Sequence, residues 1–327
     1  MASLPRIADR EIVAARGSRS LLDPAKPYAY FVEREYSSAG HVEDVAAIFL
    51  TNKECPFRCV FCDLWQKTLP DRIADGLVAA QVGWALANLG EASHVKLYNA
   101  GSFFDAEAIP SADLPRIAEL LTGRRSAIVE CHPRFVDDRC VSFAKAIAPV
   151  KLEIAMGLET VDPDVLPRIK PSMTLEDFEN AARFLTDHGI DTRAFILLGP
   201  PGHLGRERAE WAKRSIDFAF EMGVGCCVVI PVRPGNGTVD ALAARGLYSE
   251  TNLAELESVV EYGIRLGRGR VFADLWDIEC FAACPHCSAA RIAALEQMNL
   301  TQCPLAPMDC SCVRVVDSNR AASQRTR

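Results

Sequence analysis

The chain has 327 residues, 49% of them hydrophobic, with 43 acidic against 36 basic side chains and a formal net charge of -7. Length and apolar content together set the expectation of a soluble globular protein with one barrel-sized domain and extensions, not two equal domains. The acidic balance argues against a self-sufficient nucleic-acid binder, which needs a basic face to neutralise phosphates, and no apolar run approaches the about 18 residues that span a membrane.

In chain order, Met1–Arg19 scatters Arg6, Asp9, Arg10 and Glu11 among its apolar residues and lacks the continuous apolar segment of a signal peptide. Thirteen cysteines in such a chain point to metal or redox use in a reducing compartment, the cytoplasm, since disulfide frameworks belong to small secreted domains. The apolar run Val45–Leu50 is short enough for a buried strand, expected over Ala46–Asn52. Cys55, Cys59 and Cys62 follow directly, at Cys-x3-Cys-x2-Cys spacing, with the aromatic Phe61 before the third. Three thiolates stand where a cubane 4Fe-4S cluster takes four, leaving one iron open to bind something else. A zinc site or three unrelated thiols are the alternatives, but zinc sites usually show Cys-x2-Cys pairs with a second pair further on, and none lies nearby. A loop after a first strand is also where barrel enzymes place their chemistry.

Beyond this loop, strand-like and helix-like segments alternate. Strands are expected at His94–Asn99, Ala127–Cys131, Lys151–Ala155, Thr192–Leu198 and Cys226–Val232, and helices at Leu77–Leu89, Leu114–Leu121, Arg139–Ile147, Leu175–His188 and Glu207–Met222. Thr174 ahead of Glu176 and Asp177 reads as an N-cap with acids in the first turn, and Gly189 as the stop. The alternation implies α/β architecture with a parallel sheet and right-handed crossovers. Six such units suit an incomplete (β/α)6 barrel open on one side, although composition by itself does not separate that from a doubly wound sheet.

Four segments fall at the C-terminal ends of these strands: Tyr98–Asp105, Val129–Pro133, Met156–Thr160 and Leu197–Gly202. With the cysteine spacing and Phe61, the chain resembles the radical S-adenosylmethionine (radical SAM) superfamily, and these segments are similar to motifs of its Elp3- and MiaB-like side. Within that side the match is nearest to the radical SAM subunit of archaeosine synthase and its bacterial relatives, a group linked to tRNA modification. The resemblance covers roughly residues 46–263. It implies a TIM-like partial barrel, a 4Fe-4S cluster on Cys55, Cys59 and Cys62 whose open iron chelates SAM, and reductive cleavage of SAM to a 5'-deoxyadenosyl radical that abstracts hydrogen from a substrate. It further implies a modified tRNA base as substrate, an electron donor such as flavodoxin or ferredoxin, and tRNA or a tRNA-presenting protein as partner.

Many members of that superfamily receive the SAM amino group on a Gly-Gly-Glu turn; here Asn99-Ala100-Gly101-Ser102 occupies the place without its acid. The resemblance then puts the contact on backbone carbonyls around Asn99 and Ala100, with Gly101 allowing close approach because it lacks a Cβ. Glu130 and Glu159 end apolar strands, where a carboxylate is costly unless paired or coordinated; one is expected on the SAM ribose hydroxyls, and either is alternatively a structural partner of Arg134 or Arg193. Gly199 is read as backbone near adenine. A small-molecule or natural-product substrate is the rival enzyme reading, since fold does not fix function, and a non-catalytic iron-sulfur or zinc scaffold or sensor is the third.

Cys280, Cys284 and Cys287 repeat the x3, x2 spacing after the barrel ends, and Cys303, Cys310 and Cys312 follow. Two readings stand: an auxiliary 4Fe-4S cluster, or a structural zinc with Cys284-Pro285-His286-Cys287 as a knuckle closed by Cys310 and Cys312. Cys131, Cys140, Cys226 and Cys227 read as buried apolar-like residues, and the histidines show no paired metal spacing. The organisation expected is an N-terminal extension over 1–44, the partial barrel over 45–270, a cysteine-rich metal-binding extension over 271–315 and a disordered tail over 316–327.

Overall fold

The computed structural model describes residues 4–170, 172–306, 308, 310 and 312; the tail expected over 316–327 lies outside the described residues. Eight strands form one curled sheet in the order in which they occur along the chain. They are β1 (Ala29–Tyr36), β2 (Val42–Leu50), β3 (His94–Asn99), β4 (Ser126–Glu130), β5 (Lys151–Glu159), β6 (Asp191–Leu198), β7 (Cys226–Pro231) and β8 (Arg270–Ala273). β1 runs antiparallel to β2, and every pairing from β2 to β8 is parallel. The helices are α1 (Asp9–Ala14), α2 (Leu77–Asn88), α3 (Leu114–Leu120), α4 (Asp138–Ile147), α5 (Leu166–Ile169), α6 (Leu175–Asp187), α7 (Glu207–Glu221), α8 (Thr238–Ala244), α9 (Leu253–Leu266) and α10 (Ser288–Thr301). The partial barrel expected from the sequence is present, with the six expected strands as its β2–β7. None of the described helices is long and apolar enough to cross a membrane.

Local chemistry accounts for the elements that the sequence announced. The central strands are covered on both faces, so they read as unbroken apolar runs; Ile48, Leu97, Val129, Ile154 and Ile196 are all sealed from water. At α6 the Thr174 hydroxyl accepts from the Asp177 amide at 3.1 Å while the Asp177 carboxylate accepts from the Thr174 amide at 2.8 Å, a reciprocal cap that satisfies two otherwise orphaned donors.

Both edge strands were missed, and for different reasons. β1 alternates half-buried with exposed positions and carries Glu33, Arg34 and Glu35, so no apolar run marks it. β8 has only four residues. Its free edge is capped by side chains from α10 and from Gln302 just after it instead of another strand. The Gln302 amide group bonds the Val271 N–H and C=O at 2.7 and 3.0 Å, and Asn299 does the same for Ala273 at 2.8 and 2.9 Å. Because α10 also packs on β1, it lies against both edge strands and covers the open edge of β8.

The end of the barrel opposite the cysteine loop is closed by charge. Arg193 on β6 pairs with Glu35 of β1 at 2.7 Å and Glu153 of β5 at 2.5 Å; Arg270 of β8 joins Glu153 at 2.8 Å, and Lys96 of β3 joins Glu33 at 2.6 Å and Glu35 at 2.5 Å. Above this floor the interior is aromatic, with Phe49 edge-on to Tyr98 at 5.9 Å and Tyr98 edge-on to Phe195 at 6.2 Å. A second, smaller apolar core lies at the other end of the strands. Leu4 and Ile12 from the N-terminal segment join Val165 and Ile169 around α5, Leu197, and Val239 and Leu242 of α8, and they enclose Val60 of the cysteine loop.

Candidate functional site

The cysteine loop leaves β2 and is fixed from several sides. Val60 donates its N–H to Ile169 O at 2.9 Å and accepts from Asn236 Nδ2 at 2.8 Å. Leu69 and Glu54 tie the two ends of the loop region together through Leu69 N to Asn52 O at 2.8 Å and Glu54 N to Leu69 O at 3.1 Å. The Glu54 carboxylate is held by Arg16 at 2.7 Å, by Arg58 at 3.1 Å and by Arg19. Phe61 leans on the second core. Cys55, Cys59 and Cys62 therefore ride on a rigid strap, and none is disulfide-bonded.

Burial pushes all three thiols up. For Cys59 the value is about 12, the Lys170 ammonium opposing part of the rise; Cys62 goes well above its ordinary range, with Cys59 and Asp63 adding to the effect of burial; Cys55 is raised too, against the Phe57 backbone hydrogen bond and Lys170. Buried thiols of this kind become thiolates only when a bound cation compensates their charge.

The strand ends supply the facing wall. Asn99 closes β3 and is 2% exposed, yet neither its Oδ1 nor its Nδ2 has a partner among the described residues; an unpaired buried amide costs about 1–3 kcal/mol, so it signals a missing partner. Gly101, at φ 149°, has backbone that side-chain-bearing residues rarely adopt, and a Cβ there would lie 3.6 Å from Cys55 Cβ. The Asn99–Gly101 turn thus abuts the cysteine loop, and Asn52 Nδ2 bridges to Ala100 O at 3.4 Å.

Glu130 and Glu159 take opposite environments. The Glu130 carboxyl has no hydrogen-bond partner among the described residues, and burial, then the nearby Glu159 charge, raise it to about 8. Glu159 is ion-paired to Lys170 at 2.7 Å, and Lys170 also donates to Gly157 O at 3.0 Å. Neither acid pairs with the arginines that the sequence offered: Arg193 is in the ionic floor, and Arg134 lies 3.9 Å from Asp177. A bulge between Gly157 and Glu159 puts Glu159 at φ 65° and turns its side chain beneath Gly157, where a Cβ would stand 2.0 Å from Glu159 Oε1. Bulges next to functional sites commonly re-aim a side chain in this way.

Lys170 and Asn236 escaped the sequence reading. The one hint was that Lys170 directly follows Val165–Ile169, a segment whose one charge is Arg168. His132 is held neutral by burial and by the charges of Lys170 and Arg134, which lower it to about 2; it accepts from the Arg134 amide at 3.2 Å and its ring lies 4.1 Å from Phe57, a structural role. At Gly199, φ is 70° and a Cβ would lie 2.9 Å from Arg208 Cδ, so backbone and packing together require glycine.

At the other cysteine cluster, Cys284, Cys287, Cys310 and Cys312 bring their sulfurs within 4.8 Å of one another, the one such group of ligand atoms among the described residues. Cys280 and Cys303 are exposed and stand outside it.

The profile of the radical SAM superfamily matches residues 50–214, half of the chain. The chain therefore belongs to the radical SAM superfamily, a family whose cofactors are a 4Fe-4S cluster and SAM. Among solved structures it is similar to methylornithine synthase (PylB), at 15% identity over 94% of this chain and 85% of that one with a TM-score of 0.53. It is also similar to a radical SAM methyltransferase from Sphaerobacter thermophilus, at 14% identity over 76% and 77% with a TM-score of 0.51, and to Elp3 of Methanocaldococcus infernus, at 15% over 67% and 59% with a TM-score of 0.50. At such identities these likenesses show the fold. The chain spans about half the length (51%) of Streptococcus suis SuiB, another similar structure. No curated protein sequence matches.

Proposed function

We propose that Cys55, Cys59 and Cys62 ligate a 4Fe-4S cluster, that SAM binds beside it against Asn99, Gly101 and Glu130, and that the pair acts on a substrate in the barrel mouth. The observation that carries this reading is the conjunction of three unbonded, half-buried thiols with an unpartnered Asn99 amide across a turn that only glycine closes. Three soft thiolate donors suit an iron-sulfur cluster with one open position. When bound, cluster and SAM supply reductive formation of a 5'-deoxyadenosyl radical and hydrogen abstraction; the chain's own residues bind, orient and shield.

Asn99 offers a donor and an acceptor to a zwitterionic ligand, and Gly101 lets backbone carbonyls approach it. Glu130, kept largely protonated at neutral pH by burial, can both donate and accept, which suits ribose hydroxyls. Lys170, fixed by Glu159, places a positive charge beside the Cys55 and Cys59 thiolates and offsets their repulsion. Gly199 is read as backbone near the adenine, its lack of a Cβ leaving room for Arg208 beside it.

For the substrate we favour a small molecule over a tRNA base. The support is the net charge of -7, which disfavours binding a phosphate backbone without a basic face. The tRNA reading rests on the family resemblance and needs a presenting partner. A flavodoxin or ferredoxin is the electron donor proposed.

The test is anaerobic reconstitution with iron and sulfide, reduction, and assay of 5'-deoxyadenosine from SAM, wild type against a Cys55, Cys59, Cys62 triple alanine variant. Product from wild type alone supports the reading; product from the variant removes these residues from the site. RNA affinity that falls steeply with salt would restore the tRNA reading.

A further inference from the structure

The sulfurs of Cys284 and Cys310 are 3.8 Å apart, and those of Cys287 and Cys312 are 3.6 Å apart. A disulfide needs about 2.05 Å, so these are not bonds. The edge of a tetrahedron around one metal with metal–sulfur bonds of about 2.3 Å is about 3.8 Å. A cubane cluster places each cysteine on a different iron at a different corner, which holds the sulfurs much farther apart than this. We propose that Cys284, Cys287, Cys310 and Cys312 bind a single tetrahedral zinc ion, and that this ion locks the seam of the barrel.

The first pair is built into the start of α10. Cys284 N donates to Ser288 Oγ at 3.2 Å, Ser288 N donates to Cys284 O at 3.0 Å, and Arg291 N donates to Cys287 O at 2.9 Å. The second pair arrives from the returning C-terminal segment. Arg291 joins the two: its Nε donates to Cys287 Sγ at 3.3 Å, its Nη2 donates to Met308 O at 3.1 Å, and its Nη1 is ion-paired to Glu257 of α9. A buried guanidinium on a ligand sulfur offsets the charge of a four-thiolate site and orients the ligand. Zinc would therefore tie Cys310 and Cys312 to the head of α10, the helix whose Asn299, with Gln302 just past its last turn, satisfies the open edge of β8. Cys280 and Cys303 remain free thiols.

Metal analysis of the reconstituted full chain tests the assignment. Wild type is expected to hold about four irons and about one zinc per chain. A Cys310→Ala, Cys312→Ala double variant should lose the zinc and keep the iron, and the Cys55, Cys59, Cys62 triple variant should do the reverse; Cys280→Ala and Cys303→Ala should keep both. About eight irons without zinc, a fifth iron in place of zinc, or zinc retained by the double variant overturns the assignment. Zinc X-ray absorption on wild type decides the point even if the double variant fails to fold: four sulfurs at about 2.3 Å support it, and nitrogen or oxygen ligands refute it. Amide exchange at Val271 and Ala273 reads the locking role, with at least tenfold faster exchange expected in an iron-loaded double variant and unchanged exchange counting against it.

Discussion

Replacing Lys170 by methionine tests whether the buried ion pair beneath the strand ends is what holds the site together. Its Nζ lies 2.7 Å from Glu159 Oε1 and 3.0 Å from Gly157 O, and the two side chains are 5% and 8% exposed. Methionine keeps the volume but removes the charge, and leaves Glu159 buried without a partner. Breaking a buried pair from one side costs about 3–5 kcal/mol, a large part of the roughly 5–15 kcal/mol that holds a protein folded. Glu159→Gln alone should cost less, because the amide oxygen still accepts from Lys170. The double variant should recover part of the loss, with a coupling energy of about 1–3 kcal/mol. Urea unfolding of the apo protein, followed anaerobically by circular dichroism, measures all four species. Lys170→Met within about 0.5 kcal/mol of wild type, or strictly additive effects, would refute the argument. Gly157→Ala provides an independent check, since its Cβ meets the same carboxylate.

Asn99→Ala should act in opposite directions in two assays: the apo protein, freed of an unpaired buried amide, is no less stable than wild type, while SAM affinity by calorimetry falls about 10- to 100-fold, the equivalent of about 1.4–2.8 kcal/mol. An apo protein destabilised with unchanged affinity would make Asn99 a packing residue. Glu130, at about 8 in the fold against 4.5 ordinarily, keeps its proton between those pH values while the unfolded chain loses it. Its contribution to stability is full below pH 4.5 and is lost as pH rises towards 8; Glu130→Gln should flatten this fall in unfolding midpoints between pH 5 and 8, and parallel curves would contradict it. An Asn299→Ala, Gln302→Ala variant should speed amide exchange at Val271 and Ala273 about tenfold, because four hydrogen bonds at the β8 edge are lost together.

Much of the chemistry was legible because it is local. The Cys55, Cys59, Cys62 spacing lies within one loop, the six inner strands are apolar runs, and the α6 cap is written in Thr174 and Asp177. Even so, the sequence offered Arg134 and Arg193 as partners for Glu130 and Glu159, and it read Cys280, Cys284 and Cys287 as a second triplet. In the fold Arg193 faces the opposite end of the barrel, and Cys280 stands outside the four thiols that gather.

From residue order alone, then, came the strand–helix alternation and the thiols of the loop, since burial on both faces and ligand spacing each leave marks within a few residues. Tertiary structure decided the rest: β1 and β8, the charged floor of Glu35, Lys96, Glu153, Arg193 and Arg270, the Glu159–Lys170 pair and the four-sulfur group. A charge or a thiol in a strand or loop does not carry its partner's position with it. The partner is set by which strands the crossovers bring side by side, and by the cost of leaving a buried charge or amide without one.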